Sequence, residues 1–336
     1  MLTYTIRRLA FAVPTLLVIS FIIFAILDLA PSDPTGNLPL TIPPEVREKI
    51  RLSLGLGEPF HVRYLKWCQQ FFVNEPLNLL EAWTGWSLGE GDRPRILSWQ
   101  TRSPVVDLIV ERMPQTLWVV GMSYVVGIAI AIPIGVISAY KQYSWFDQFG
   151  TLFSMVGFSI PTFFTGLLFI VVFSVWLGWL PSIYDTTLVV DSWATFGLQI
   201  KQMIMPVMVL GLFNAAQISR FMRASMLDNL NQDYVRTARA KGMTERVVVL
   251  VHVLRNSMIP VVTVIALGVP QIFGGAIITE QIFRVNGLGQ LLIGAIQGAD
   301  IPTVQTLTFI FAVLIVLFNL IADLLYGVLD PRIRYD

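Results

Sequence analysis

The chain has 336 residues, of which 55% are hydrophobic and only 13% are charged, and its net charge at pH 7 is +1. Soluble domains carry about 25% charged residues, so this composition excludes an ordinary soluble protein and indicates an integral membrane protein. The nearly neutral total gives no reason to expect a nucleic acid as a partner. Cys68 is the only cysteine, which excludes a disulfide within the chain.

The N-terminal part divides into a first membrane span and a long segment outside the membrane. A charge-free run at 9–27 exceeds the roughly 18 residues that cross the hydrocarbon as a helix, so residues 1–29 form a cytoplasmic tail and the first span. The run is too long for a signal peptide and lacks a cleavage site, so we expect it to be retained. Residues 30–104 are predicted to form a periplasmic or extracellular segment that caps the bundle, with an amphipathic helix at 60–72.

Residues 105–336 are predicted to form the membrane core, which makes the chain an all-α integral membrane protein with six transmembrane helices. A surface helix at 102–112 leads into the core, and the short apolar run at 285–299 is expected to be a re-entrant or surface helix. The five further spans are expected at about 113–139, 149–176, 202–221, 257–279 and 303–327.

The distribution of basic residues predicts the orientation of the chain. With the N-terminus inside, the inner segments hold twelve Lys and Arg residues, whereas the two short outer loops hold two. Lys and Arg concentrate in cytoplasmic loops, so both termini are expected in the cytoplasm.

The sequence lacks the motifs of common membrane enzymes. No glycine precedes a lysine, so there is no GxxxxGK[ST] phosphate loop, and neither HExxH nor GxSxG occurs. His61 and His252 are predicted on opposite sides of the membrane, so no metal site is expected. The predicted spans have no ionisable group in their middles, which argues against an ion-driven carrier; Asp323 is expected near an interface or paired with a neighbouring helix. A carrier or channel and a membrane enzyme remain the competing hypotheses.

The loop at 223–256 is the most informative stretch. Asp233 is predicted to cap a helix that runs to Lys241, and Gly242 is placed to end this helix in the left-handed conformation. Thr244 is predicted to cap a second helix that runs from Glu245 to about 255. A short helix followed by a glycine turn suits insertion into a groove on a partner, but an ordinary basic loop made by the positive-inside rule is an equal alternative.

The same loop resembles the "EAA" coupling motif of ABC-importer permeases. Arg236, Thr237 and Ala238 occupy the E-A-A places and Gly242 occupies the place of the glycine. The sequence RTARAKG, followed by HVLRNSMIP, is similar to the corresponding stretch of the B-type permease subunit of dipeptide and oligopeptide importers. The similarity covers nearly the whole chain and is weakest across the segment before the core. Further matching patches lie at 6–9, 159–163, 279–283, 287–289 and 323–332.

Two residues depart from the family pattern. Arg236 replaces the glutamate of the general motif, so the contact described for that glutamate does not carry over. Asn286 stands where proline is common.

The resemblance implies a type I ABC importer permease (MetI-like) fold with no catalytic residue, cofactor or metal of its own. The expected partners are a homologous second permease, two ABC ATPases that bind ATP and Mg, an extracytoplasmic solute-binding protein and membrane lipid. The residues expected to couple to the ATPases are Asp233, Arg236, Thr237, Ala238, Arg239, Ala240, Lys241, Gly242, Met243 and Thr244.

The resemblance also implies a location and a cargo. We expect a bacterial or archaeal cytoplasmic membrane and di- or oligopeptides as the cargo. Nickel chelates, glutathione and sugars are the alternatives within the family, because selectivity is set mainly by the binding protein.

Overall fold

The computed structural model describes residues 2–29, 43–53, 57–86 and 93–329. Regular structure in these ranges is helical except for one isolated antiparallel bridge between Leu97 and Pro104, which confirms the all-α prediction. The helices, in chain order, are α1 (Leu2–Asp28), α2 (Pro44–Ser53), α3 (Phe60–Gln69), α4 (Glu75–Thr84), α5 (Val105–Tyr140), α6 (Trp145–Ser159), α7 (Thr162–Phe169), α8 (Trp193–Leu230), α9 (Asp233–Ala240), α10 (Glu245–Val247), α11 (Leu254–Phe283), α12 (Leu288–Gln297) and α13 (Ile301–Leu329). π-helical segments at Gln70–Asn74, Ile170–Trp176 and Val248–Val253 follow α3, α7 and α10 without a break.

Five described helices are long and apolar enough to cross a membrane, and one bent pair adds a sixth span if its two helices are counted together. The bent pair joins Trp145–Ser159 to Thr162–Trp176 at an angle of 104°. Counting this pair as one span gives the six predicted spans. The five single helices contain the segments Thr5–Asp28, Val105–Tyr140, Trp193–Leu230, Glu245–Val269 and Ile301–Leu324.

The predicted span at 149–176 is not one continuous helix. Ile160 and Pro161 both have extended backbones, with ψ of 124° and 140°. Proline lacks an N–H and disfavours the helical conformation of the residue before it, so the helix stops at Ser159 and restarts at Thr162.

Other predicted bounds were too narrow. The surface helix expected at 102–112 is continuous with the second span in α5, and α8 extends the predicted 202–221 span by several residues at both ends. The second helix of the loop was expected to be separate from the next span. Instead α10, the π-helical segment and α11 form one helical stretch, so only 231–232 and 241–244 of the predicted 223–256 loop lie outside helices.

The chain forms two compact units. The first contains Met1–Arg8, Gln115–Gln290 and Leu314–Asp336. Its core lies between α5, α8, α9 and the stretch from α10 to α11. The approach of α5 to α8 is close, because a Cβ atom on Gly135 would lie 2.5 Å from the Cβ of Met222.

The second unit contains Leu9–Pro114 and Leu291–Val313, and aromatic rings fill its core. The ring of Trp67 lies edge-on to that of Phe309 at 5.6 Å, and Phe71 packs on the same ring at 5.0 Å. On the other side of the cluster, Phe24 packs edge-on against Tyr64 at 5.3 Å. These contacts join α1, the stretch that begins with α3, and α13.

Candidate coupling segment

The predicted coupling helix is present as α9, but it begins one residue earlier than expected. Gln232, not Asp233, occupies the N-cap position, and its carbonyl accepts hydrogen bonds from the N–H groups of Val235 and Arg236. Asp233 is therefore the first helical residue and not the cap, and its carboxylate lies 3.5 Å from a guanidinium nitrogen of Arg236. The Gln232 side chain instead donates back to the carbonyl of Asp228 in α8.

One face of α9 is buried in the core of the first unit. Val235 is fully buried and Ala238 is 6% exposed, and both belong to a cluster that also contains Met222, Met226 and Val249. Complete burial of a valine side chain contributes about 1.5–3 kcal/mol. A short polar helix is thus attached to the membrane bundle through two apolar side chains.

The opposite face of α9 is exposed and polar. Of the ten residues predicted to couple to a partner, Ala238 is buried and the other nine are exposed. Arg236 is the clearest example, with 74% of its side chain exposed. Val235 was missed by sequence reasoning, although a valine three residues before a buried alanine is the spacing of one helical face.

Gly242 ends the helix in the left-handed conformation, as predicted. Its φ is +75°, its N–H donates to the carbonyl of Arg239, and the N–H of Met243 donates to the carbonyl of Ala238. This pair of bonds is a Schellman motif, which satisfies carbonyls that the end of a helix leaves free. A Cβ atom at Gly242 would meet nothing within 4 Å, so only the backbone conformation requires glycine here.

An ion pair spans the glycine turn. The Arg239 guanidinium donates to both carboxylate oxygens of Glu245, at 2.7 and 3.2 Å, and this contact raises the pKa of Arg239. Thr244 holds the predicted N-cap position and its carbonyl accepts from Val247, but its side chain makes no capping bond. The pair links α9 directly to the first residue of the next helical stretch.

Sequence reasoning missed a buried ion pair between α6 and α8. Arg223 donates to both oxygens of Asp147, at 2.6 and 2.8 Å, and only 5% of the Asp147 side chain is exposed. Ser144 caps α6 by accepting from the Asp147 N–H at 3.3 Å. The spacing S-x-x-D before an apolar run is a capping signal that could have located this site.

A second missed carboxylate is Glu280, which is fully buried near the end of α11. It accepts from the Thr116 hydroxyl at 2.6 Å and from the Gly289 N–H at 2.7 Å, and the same hydroxyl accepts from the Leu288 N–H. The carboxylate therefore holds the start of α12 against α5. Asp323 pairs with Arg8 at 3.0 Å, which confirms the expected pairing with a neighbouring helix.

The described part of the chain thus combines five single membrane-spanning helices and one bent pair with a short polar helix attached to the core of the first unit, which are features of a membrane permease. In the described ranges, no group of three or more His, Cys, Asp or Glu side chains could share a metal ion.

Comparison with known proteins identifies the family. Residues 131–335 match the model of the binding-protein-dependent transport system inner membrane component, and residues 1–120 match the model of the N-terminal part of the same component. The chain belongs to this family. It is a non-catalytic permease of an ABC importer and a multi-pass inner membrane protein, and ATP hydrolysis belongs to partner ATPases.

The relatives match the chain over its full length. It is 39% identical over 341 aligned positions to the oligopeptide transport system permease protein AppB of Bacillus subtilis (strain 168), and the match covers 100% of both chains. It is 37% identical over 339 positions to the glutathione transport system permease protein GsiC of Escherichia coli (strain K12), again with complete coverage of both. The match to the N-terminal model also extends the family to the segment where the motif resemblance was weakest.

A solved structure shares the fold. An inward-facing conformation of the MetNI methionine ABC transporter matches 67% of this chain and 98% of its own, with a TM-score of 0.54 and 18% identity. The type I permease fold predicted from the motif is thereby confirmed.

Proposed function

We propose that this chain forms the transmembrane pathway of an ATP-driven importer for di- or oligopeptides and that α9 receives the motion of the ATPases. The observation that carries the coupling role is the two-sided character of α9. Val235 and Ala238 attach it to the core, whereas its charged face is exposed. A rigid element attached in this way transmits a push from outside the membrane to the helices that it contacts.

The proposed complex contains a homologous second permease, two ABC ATPases and a solute-binding protein. The charge distribution supports cytoplasmic termini, and it supports with them a position of α9 on the side where ATP is available. The proposed location is the cytoplasmic membrane of a bacterium or archaeon.

The peptide cargo rests on the relatives. AppB is named as an oligopeptide permease, and its full-length match to this chain supports the same cargo class here. Glutathione is the second candidate, because the GsiC permeases match over the same length at 37% identity. Nickel chelates and sugars are further alternatives for the cargo. The remote alternative for the mechanism is a stand-alone ion-driven carrier.

Reconstitution tests the proposal. The permease should be assembled with its ATPases, second permease and binding protein in vesicles, and uptake of labelled di- and oligopeptides should be compared with uptake of glutathione. We expect peptide uptake that needs ATP and the binding protein, and no uptake by this chain alone. Uptake by this chain alone, driven by a proton or sodium gradient, would contradict the proposal.

Cross-linking tests the contact made by α9. In a Cys68→Ser background, Thr237→Cys on the exposed face should cross-link to an ATPase subunit. Thr187→Cys, on an exposed loop predicted to lie on the other side of the membrane, is the matched control and should not. Equal cross-linking of both positions, or none at the first, would remove the coupling role from α9 while leaving the transport assay to decide the cargo.

A further inference from the structure

The helix that runs from Phe60 to Thr84 has, in its second half, its polar side inside and its apolar side outside. It consists of α3, the π-helical segment and α4, and we call it the peripheral helix. In its second half every exposed residue except the terminal Thr84 is apolar, and these apolar residues form what we call the apolar stripe. The apolar stripe consists of Phe72, Val73, Pro76, Leu79, Leu80, Ala82 and Trp83.

The polar residues of the same half face protein. Glu75 is 2% exposed and accepts from the Arg95 guanidinium at 2.9 Å and from the Ile96 N–H at 3.1 Å. The Asn74 amide donates to the carbonyl of Pro94, and Arg93 pairs with Glu81 at 3.1 Å. The segment at 93–96 therefore covers the polar side of the helix.

This arrangement is the reverse of that found on a water-exposed surface. A helix on a soluble domain buries its apolar stripe and exposes its charges, and water makes any other choice unfavourable by about 25 cal/mol per Å² of apolar surface. Large contiguous apolar surfaces mark contact with a membrane or another protein. The surface therefore needs an apolar environment.

Contacts at the first half of the peripheral helix fix its depth beside a membrane span. The Tyr64 hydroxyl lies 2.9 Å from the hydroxyl of Ser20, and the Tyr64 ring packs edge-on against Phe21 at 5.4 Å. Arg63 forms an ion pair with Asp28, the last residue of α1. Because Ser20 and Phe21 lie about two turns inside Asp28, this part of the helix lies at the depth of the hydrocarbon edge.

A second span gives the same depth. Phe71 and Phe72 pack on Phe309 at 5.0 and 5.6 Å, and Phe309 lies about two turns after the start of α13 at Ile301. The peripheral helix is thus held between the end of one span and the beginning of another, near one membrane boundary. On α1, side chains that include Val18 and Ile22 are exposed, so a lipid-facing surface lies beside it.

Tryptophans lie at the far end of the helix and directly after it. Trp83 is 93% exposed and Trp86 is 73% exposed. Tryptophan is enriched where hydrocarbon meets headgroups, because the indole is apolar with one polar N–H.

We infer that the peripheral helix lies in the membrane leaflet at which α1 ends and that its apolar stripe contacts lipid acyl chains. The partner of this surface is lipid and not the binding protein or the second permease. The polar residues Asn74, Glu75 and Glu81 in the second half have protein partners because hydrocarbon offers none. The segment expected from the sequence to be a cap outside the membrane is therefore partly embedded in it.

Spin-label accessibility in the assembled importer, in lipid nanodiscs and in a Cys68→Ser background, tests this inference. Nitroxides at Val73→Cys and Leu79→Cys probe the apolar stripe. Val18→Cys on α1 is the lipid control, and Glu48→Cys on α2, an exposed charged position outside the spans, is the water control. Collision rates are measured with oxygen, which enters lipid, and with a water-soluble nickel chelate.

We expect the ratio of oxygen to nickel collisions at both stripe positions to match that at Val18 and to exceed that at Glu48 by about tenfold or more, since polar reagents enter hydrocarbon poorly. Nickel accessibility equal to that at Glu48 would overturn the inference, as would shielding from both reagents. Shielding that appears only when the binding protein is added would also overturn it. Because two positions of the apolar stripe are labelled, the result does not depend on a local disturbance caused by either label.

Discussion

The proposed coupling helix α9 and the second half of the peripheral helix show opposite burial patterns. The first buries Val235 and Ala238 and exposes its charges, whereas the second buries Glu75 and Asn74 and exposes Leu79 and neighbouring apolar side chains. Each pattern reports the medium around the helix. Water and a polar partner suit the first, and an apolar medium suits the second.

Each helix is also attached by an ion pair, and the two pairs differ in exposure. The side chains of Arg239 and Glu245 are 43% and 39% exposed, whereas those of Arg95 and Glu75 are 26% and 3% exposed. Ion pairs in water contribute about 0–1 kcal/mol, but loss of one partner of a buried pair leaves an uncompensated charge. We therefore expect apolar contacts to contribute most to the attachment of α9. For the peripheral helix we expect the polar contacts to contribute most.

The largest expected effect comes from Arg95→Met. This change leaves Glu75 buried without its cation and should lower the free energy of unfolding by about 3 kcal/mol. Arg95 also bonds Asp107, and this bond is the main reason why its pKa is raised. Thermal unfolding of the detergent-solubilised permease measures the effect.

The control is Lys66→Met, which breaks the exposed pair between Lys66 of the same helix and Glu58, a residue that precedes the helix. Its effect should stay below about 1 kcal/mol. Equal losses for the two variants would show that the polar side of the peripheral helix is not buried as described.

Val235→Ala should have the next largest effect. It removes two methyl groups from the core and should cost about 1–2 kcal/mol through lost packing. Because the lost contacts attach α9 to the bundle, the number of ATP molecules hydrolysed per cargo molecule should also rise.

Val247→Ala is the matched control, since Val247 is 42% exposed and its change should cost no more than about 0.5 kcal/mol. An unchanged ATP-to-cargo ratio in Val235→Ala, with stability reduced as expected, would mean that this buried face supports folding but not coupling.

The smallest expected effect is that of Glu245→Gln. It removes an exposed ion pair across the glycine turn, so the stability should fall by less than about 1 kcal/mol at low salt. The difference from the unchanged chain should nearly vanish at 1 M salt, where charges are screened beyond about 3 Å. A large loss that persists at high salt would show that the pair matters more than its exposure indicates.

The sequence was sufficient for features that depend on local composition. Charge-free runs located six spans, and Gly242 marked the end of a short helix, because hydropathy and glycine preference act within a few residues. The sequence was insufficient for features that depend on contacts between residues far apart in the chain. Glu280 bonds Thr116 across a long separation that no local pattern reveals, and the capping pattern at Ser144 marks Asp147 but not its distant partner Arg223.

The peripheral helix shows the same limit. Its aromatic and basic residues predicted an amphipathic helix, but only the contacts of Glu75 and Arg95 show that the polar side faces inward. The prediction that Asp233 caps α9 was wrong by one residue. The carbonyl of Gln232 already accepts the first hydrogen bonds of the helix, so Gln232 is the cap.

The most direct test of the coupling role is the ATP-to-cargo ratio of Gly242→Leu in reconstituted vesicles, with Gly242→Asn as its control. A left-handed backbone costs a residue with a Cβ about 1–2 kcal/mol, and asparagine tolerates it better than leucine. No atom lies within 4 Å of the added Cβ, so steric damage to the bundle is not expected. We predict that the leucine variant assembles and hydrolyses ATP but moves severalfold less cargo per ATP, and that the asparagine variant stays close to the unchanged protein. Normal cargo uptake per ATP in the leucine variant would contradict the role of α9 in coupling.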